Sequence, residues 1–413
     1  MGMVSPLGAN CEDSFAQALT GQGAVGKAPD AILKWLPNAL AAVVPDRAFT
    51  QLLPQDQGLD RAVQLALIAS REALSDAQFD SAIDNNELAL ERVGVNVGIG
   101  LAGAVTLDAL YNRFYEKLHS GDPTQNPIVV HPLSVPRLMP NAAAAAISMA
   151  NGFKGATQTY CVACASSAMA IGEAYRSIKH GYLDAVVVVG AEAMIAPGAL
   201  IAWNALRVLA KPNPQNIAAS CRPFSAGRNG FVMGEGAACL ILESEEHAQR
   251  RGAKIKARLS GYATSSDAAH ITAPNSDGQI RAMRSALEDA ALAPQMIGYI
   301  NAHGTATEIG DVVETQSIRA VFGEHADKLM VSSTKSMHGH LIGAGGTTEL
   351  VLSIMMLNSG SVAPTAYLDK ADPQCDLDYV PLVARHQQDI QAVMSNSFAF
   401  GGSNAVLIVQ KPV

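Results

Sequence analysis

The chain has 413 residues, of which 16% are charged and 49% hydrophobic, and carries a formal net charge of −8. An ordinary soluble domain has about 25% charged residues; here small and apolar residues fill the shortfall, which excludes disorder as the main state and points to a large interior together with an apolar subunit interface. The acidic balance excludes a general nucleic-acid binder, which needs a Lys/Arg surplus to neutralise phosphates.

The length allows two to three domains or one large duplicated unit. No apolar run approaches the ~18 residues of a membrane span; the longest strand-like one, Ala185–Ala191, has seven. The opening Met1-Gly2-Met3-Val4-Ser5-Pro6 lacks the basic and apolar regions of a signal peptide, and Pro6 breaks the myristoylation pattern, so a cytoplasmic protein is expected. In chain order, a helix over Leu59–Ala77 sets Ala62, Leu65, Ala66, Ala69 and Ala73 on one stripe, and a strand follows at Val93–Gly100. Residues 121–140, rich in proline, read as a loop over the surface. A strand pattern ending near Tyr160 gives way to a helix that starts near Cys164 and is closed by Gly181. Strands at Ala185–Gly190 and Ala237–Leu242 precede a charged helical connection, Glu243–Gly252. Then come a helix at Gly278–Leu292 and strands at Ile297–Ala302, Met330–Ser333, Ala392–Asn396 and Ala405–Gln410. This alternation predicts an α/β fold with much of its sheet parallel and buried. Phe231-x-x-Gly234-x-x-x-Ala238-x-Leu240-Ile241 recurs as Phe398-x-x-Gly401-x-x-x-Ala405-x-Leu407-Ile408, which predicts two similar α/β halves, 1–252 and 253–413.

The six cysteines (11, 161, 164, 221, 239, 375) do not make a secreted disulfide scaffold. Cys164, at a strand-to-helix junction, faces the orphan N–H groups and positive end of the helix, which favour a thiolate and hence a nucleophile; the plain alternative is a small buried hydrophobe. Cys161-x-x-Cys164 also invites a zinc or redox reading, but no second pair of ligands stands at short spacing, and Cys161 reads as a core residue of the strand. His303 and the segment Lys335-Ser336-Met337-His338-Gly339-His340 each follow a strand, where α/β sheets place their ligands. His340 opens a glycine-rich turn that permits close approach, and His338 is read as supporting it. In Ser395–Asn404 the glycines can turn N–H groups inward to hold an oxyanion, or form an ordinary hairpin turn.

Taken together, Gly2-Met3-Val4-Ser5-Pro6-Leu7-Gly8, Ala163-Cys164-Ala165, Arg228-Asn229-Gly230-Phe231-Val232-Met233-Gly234-Glu235-Gly236, Asn301-Ala302-His303-Gly304-Thr305, Ser333-Thr334-Lys335, Gly339-His340 and Asn396-Ser397-Phe398-Ala399-Phe400-Gly401-Gly402 resemble the β-ketoacyl-acyl carrier protein synthases of types I and II, in their family order over nearly the whole chain. The resemblance implies a thiolase-like fold and a decarboxylating Claisen condensation. It makes Cys164 the acyl acceptor, with the N–H groups of Cys164 and Phe400 as the oxyanion hole and Phe400 as a gate. His303 and His340 would donate hydrogen bonds to the malonyl thioester oxygen, Lys335 would supply charge, and Thr305 and Thr307 would bind the pantetheine arm. Asn301, Glu349, Ser395 and Asn396 match a structural monovalent-cation site, and no other cofactor is implied, since the phosphopantetheine arrives on the carrier protein. Arg207 and Lys211 are candidate carrier-protein contacts by family position, and a homodimer is expected. A non-catalytic subunit resembling the chain-length factors is the alternative, although such subunits usually lack the nucleophile. The chain departs from the family at Glu308, His338 and Ala399, where Pro, a small residue and Gly are usual, and it opens after the hydrophobic strand with which the family begins.

Overall fold

A computed structural model describes residues 1–84, 89–122, 124 and 130–412. The strands are β1 (Gly2–Val4), β2 (Val25–Lys27), β3 (Leu40–Ala42), β4 (Val93–Gly98), β5 (Thr157–Tyr160), β6 (Ala185–Glu192), β7 (Met233–Gly234) and β8 (Gly236–Glu243), followed by β9 (Arg258–Ser266), β10 (Ile297–Asn301), β11 (Met330–Ser332), β12 (Ala392–Ala399) and β13 (Ser403–Gln410). One five-stranded sheet runs β1-β8-β6-β4-β5 and the other β9-β13-β12-β10-β11, with β2-β3-β7 as a small third sheet. The first two repeat each other strand for strand: β1–β8 and β9–β13 are antiparallel, as are β8–β6 and β13–β12, while β6–β4, β12–β10, β4–β5 and β10–β11 are parallel. The sequence echo falls on β8 and β13, which hold the same place in the two sheets.

Two helices, Ser166–Lys179 and Gly345–Ser359, lie between the sheets and touch both. The second is small or apolar nearly all round, as a helix with sheets on both sides must be. Helix Arg61–Asp76 covers the outer face of the first sheet, while Ser276–Asp289 and Glu308–Phe322 cover the second. Five layers result, and the sheet interiors are runs of buried Val, Ile, Leu and Ala such as Ala185–Ala191. This buried volume is where the missing charge went.

The structure corrects several expectations. Residues Gly2–Val4 form a strand of the first sheet, pairing with Ala237–Cys239. Within 121–140, residues Ser134–Leu138 form a helix, while 123 and 125–129 lie outside the described residues. Strands β2, β3 and β7 have two or three residues each, too short to carry a period-2 pattern. Cys161 is exposed just past β5 instead of lying in the core, because β5 is an edge strand. Gly181 follows the helix Ser166–Lys179 with φ +75°, as its capping place requires.

The two halves meet without slack at Gly172 of the first central helix. A Cβ there would stand 2.1 Å from the Tyr262 ring of β9, and Tyr262 is itself held by Glu173 at 3.2 Å and by its N–H to Asp289 at 3.0 Å. Gly172→Ala is therefore expected to destabilise the protein by about 1–3 kcal/mol through overpacking. Urea unfolding measures this, and an unchanged midpoint would contradict the packing.

Candidate active site

The nucleophile candidate is built on a strained turn. After β5 the chain enters Ala163 at φ +45°, a left-handed conformation that a residue with a side chain adopts at a cost. Ser166 holds it: its Oγ donates to the Ala163 carbonyl at 2.7 Å and accepts the Val162 N–H at 2.8 Å. Cys164 then sits buried at the head of the helix Ser166–Lys179. His340 Nε2 lies 3.0 Å from its Sγ, and the Phe400 N–H also bonds to that sulfur. Phe400 stands in the turn of the β12–β13 hairpin, where Gly401 and Gly402 take φ +84° and +74°. The hairpin turn and the inward N–H are thus one feature.

The histidines arrive from the matching ends of the other sheet. His303 follows β10; its N–H and that of Gly304 donate to Glu314 at 2.8 and 2.7 Å. The His303 and His340 rings meet edge to face, centroids 5.4 Å apart, and the ligating atoms of Cys164, His303 and His340 all lie within 4.8 Å of one another. Cys161 is outside that group, so the Cys-x-x-Cys pair is not a shared ligand set. His340 Nδ1 accepts the Ile342 N–H at 3.2 Å, which leaves the proton of a neutral ring on Nε2. His338 is fully buried behind this site, bonded to the Gly339 carbonyl and to Thr334 Oγ1.

Lys335 is 1% exposed and its Nζ stands 2.5 Å from Glu349 Oε1, equally buried. Burial pushes Glu349 up to about 7 against the pull of Lys335. Burial, helped by the Lys335 charge, holds His303 and His340 well below the ordinary histidine range, so both are neutral at pH 7. For Cys164 burial also dominates: the thiol is pushed up to about 12, although Lys335 and the Phe400 N–H work the other way. The helix terminus therefore does not yield a resting thiolate, contrary to the expectation from its position.

Thr305 and Thr307 line the same pocket, their Oγ1 atoms 3.1 Å apart, with Trp203, Phe231 and Phe398 as apolar walls. Trp203 stacks on Phe400 at 6.1 Å between centroids. Asn301 on β10 is in register with Ser395 on β12, next to Asn396. Both side-chain polar atoms of Asn301, Glu349 Oε2 and Asn396 Oδ1 are buried with no hydrogen-bond partner, while Glu349 Oε1 is taken up by Lys335. Such orphaned oxygens fit a hard monovalent cation. Arg207 and Lys211 are exposed on the segment that pairs through Leu209 with Phe231 of the pocket wall. Glu308 is the first residue of its helix and Ala399 the last of β12.

Sequence reasoning missed Glu314. The signal was there: Asp311 and Glu314 fall on the same helical stripe as Ile318 and Phe322, and carboxylates on an apolar face mark buried acceptors. It also missed Glu192, whose strand reads as plain apolar filling.

A cysteine and two neutral histidines under an N–H-lined turn define a site for acyl transfer through a thioester. The chain matches the description "Beta-ketoacyl synthase, N-terminal domain" over residues 1–248 and "Beta-ketoacyl synthase, C-terminal domain" over 256–369. It is 40% identical over 415 aligned residues to a 3-oxoacyl-acyl-carrier-protein synthase 2 of Staphylococcus aureus, covering 100% of this chain and 97% of that one. The corresponding protein of Coxiella burnetii is 37% identical with the same coverage. A β-ketoacyl synthase structure from Burkholderia phymatum superposes with TM-score 0.87 at 35% identity, covering 100% and 98% of the chains. A type II polyketide ketosynthase, solved with its acyl-carrier protein and bound to a hexaketide, gives 0.88 at 28%, again covering 100% and 98%. The chain belongs to the β-ketoacyl synthase family, with its thiolase-like fold.

Because the raised thiol pKa limits the thiolate, alkylation of Cys164 by iodoacetamide in the free protein is expected to climb about tenfold per pH unit from pH 7 to 10. Peptide mass spectrometry follows the rate, and a plateau near pH 8 would contradict the assignment. Lys335→Ala removes the charge that lowers this pKa and is expected to slow labelling further.

Proposed function

We propose that the protein condenses an acyl group held on Cys164 with malonyl-acyl carrier protein, giving β-ketoacyl-acyl carrier protein and CO2. The observation that carries this reading is the meeting of Cys164 Sγ with His340 Nε2 at 3.0 Å beside a second neutral histidine. In the first half-reaction the sulfur attacks the acyl thioester and the Phe400 and Cys164 N–H groups hold the oxyanion. The Cys164 proton ends on the departing pantetheine thiol. In the second, the malonyl thioester oxygen takes hydrogen bonds from His303 and His340 as the C–CO2 bond breaks. The enolate carbon then attacks the acyl-cysteine carbonyl, the C–S bond breaks, and the sulfur regains a proton from solvent. Neutral rings suit this step, because an N–H donor is needed and a proton need not be transferred.

Lys335 lends positive potential to both halves, and Thr305 and Thr307 hold the pantetheine arm. Asn301, Glu349, Ser395 and Asn396 would hold a structural cation, which would tie β10, β12 and the helix Gly345–Ser359 together beside the Lys335–Glu349 pair. The carrier protein is the partner, and Arg207 and Lys211 give this acidic chain a local basic contact at the pocket mouth. The chain forms a homodimer: β5 leaves one edge of its sheet unpaired, and the preceding stretch exposes Tyr111, Tyr115, Leu118, Val135 and Met149. It works in the cytoplasm; among the described residues no helix is long and apolar enough to cross a membrane. The presence of Cys164, His303 and His340 weighs against a non-catalytic chain-length factor.

The test is condensation with acyl- and malonyl-carrier protein, followed by CO2 release and β-ketoacyl product. Cys164→Ala is expected to abolish product, and His340→Ala to lower decarboxylation by about 10²–10³-fold, the cost of losing one oxyanion donor. Robust condensation by Cys164→Ala would overturn the mechanism. Arg207→Glu is expected to raise KM for the carrier protein with kcat unchanged; unchanged KM would remove it from the contact surface.

A further inference from the structure

Glu192 ends β6 with 0% of its surface exposed, yet it touches none of the reacting groups assigned above. Its compensation comes from backbone. Oε2 accepts the Gly100 N–H at 2.8 Å and the Gly343 N–H at 3.0 Å, and Oε1 accepts the Leu101 N–H at 3.4 Å. Among the described residues no cation is ion-paired with it. Burial pushes the carboxyl up to about 8, with these N–H groups opposing the rise.

The collar around the carboxylate has no spare room. A Cβ on Gly100 would stand 2.6 Å from Glu192 Oε2, and one on Gly343 would stand 2.2 Å from the Gly100 nitrogen. The carboxyl therefore ties together two loops that only their glycines let come so close: the one after β4 and the one after His340. On the β4 side, the Gly100 carbonyl lies 3.3 Å from the thiol of Cys161, which leads into the nucleophile turn. On the other side, Gly343 follows Ile342, held at φ +41°, a conformation a β-branched residue adopts only when its surroundings enforce it. The Ile342 N–H is the group that donates to His340 Nδ1.

We propose that Glu192 is a positioning residue: by gripping the Gly343 N–H it keeps the adjoining Ile342 N–H on His340 Nδ1, and so fixes the imidazole as an Nε2–H donor aimed at Cys164 and the substrate thioester. The connection runs from the carboxyl to the Gly343 N–H, through Ile342, to the Ile342 N–H and the ring. This rests on the reading of His340 as a donor in decarboxylation.

The experiment compares wild type, Glu192→Gln and Glu192→Asp with His340→Ala as reference. Two readouts are taken: malonyl-carrier-protein decarboxylation, and the nitrogen resonances of ¹⁵N-histidine-labelled protein, which distinguish Nδ1–H from Nε2–H. The wild type is expected to hold His340 wholly as Nε2–H. Glu192→Gln is expected to mix the tautomers and to slow decarboxylation by about 10–100-fold, the usual cost of losing an outer orienting group. Glu192→Asp, which keeps a carboxyl group but falls short of Gly343, is expected to do the same. A purely structural role would lower the melting midpoint and leave the tautomer of the folded fraction unchanged. An unmixed Nε2–H signal in folded variants, or an Nδ1–H ring in the wild type, would overturn the proposal. If His340→Ala decarboxylates normally, the functional reading fails instead, and the tautomer spectra still decide the role of Glu192.

Discussion

The site depends on one buried positive charge. Lys335 is 1% exposed and balanced only 2.5 Å away by Glu349, in a shell of apolar sheet and helix. Removing a single partner of such a pair leaves an uncompensated charge in the interior, so each residue requires the other. From that position Lys335 acts on all three reacting side chains at once: it draws the Cys164 thiol down against the stronger effect of burial, and it adds to the burial that holds His303 and His340 neutral. Burial and this one cation together keep the two rings as uncharged N–H donors beside the sulfur.

The duplicated architecture makes this convergence possible. Each sheet runs its parallel strands toward the same region, so β5 delivers Cys164 while β10 and β11 deliver His303 and the Lys335–His340 segment. The sheets and the helices between them are filled mainly by small and apolar side chains, which accounts for much of the low charged content. That packing also excludes water from Lys335 and Glu349, so the fold and the electrostatics of the site have the same origin.

What was legible in the sequence is the covalent part. Strand-end positions, a strand-to-helix cysteine and glycine-rich turns are local patterns, and they singled out Cys164, His303 and His340; Phe400 came from the resemblance to the family. The ionisation of Cys164 was not legible, because helix position argues for a thiolate while burial, a property of the assembled layers, argues more strongly the other way. Cys161 was misplaced for a related reason: its strand pattern does not reveal that β5 lies at a sheet edge. Glu192 was missed because its partners are backbone N–H groups from loops distant in sequence, which no residue type announces; Glu314 left its signal as a carboxylate on the apolar face of its helix.

The central claim is that His303 and His340 stay neutral donors under the Lys335 charge. Titrating the imidazole proton resonances of the protein, assigned by His303→Asn and His340→Asn variants, tests it directly. The account predicts no titration of either ring between about pH 5 and 8, and upward movement of both midpoints when Lys335 is replaced by Met. Midpoints near the ordinary histidine value in the wild type, or midpoints indifferent to Lys335, would contradict it.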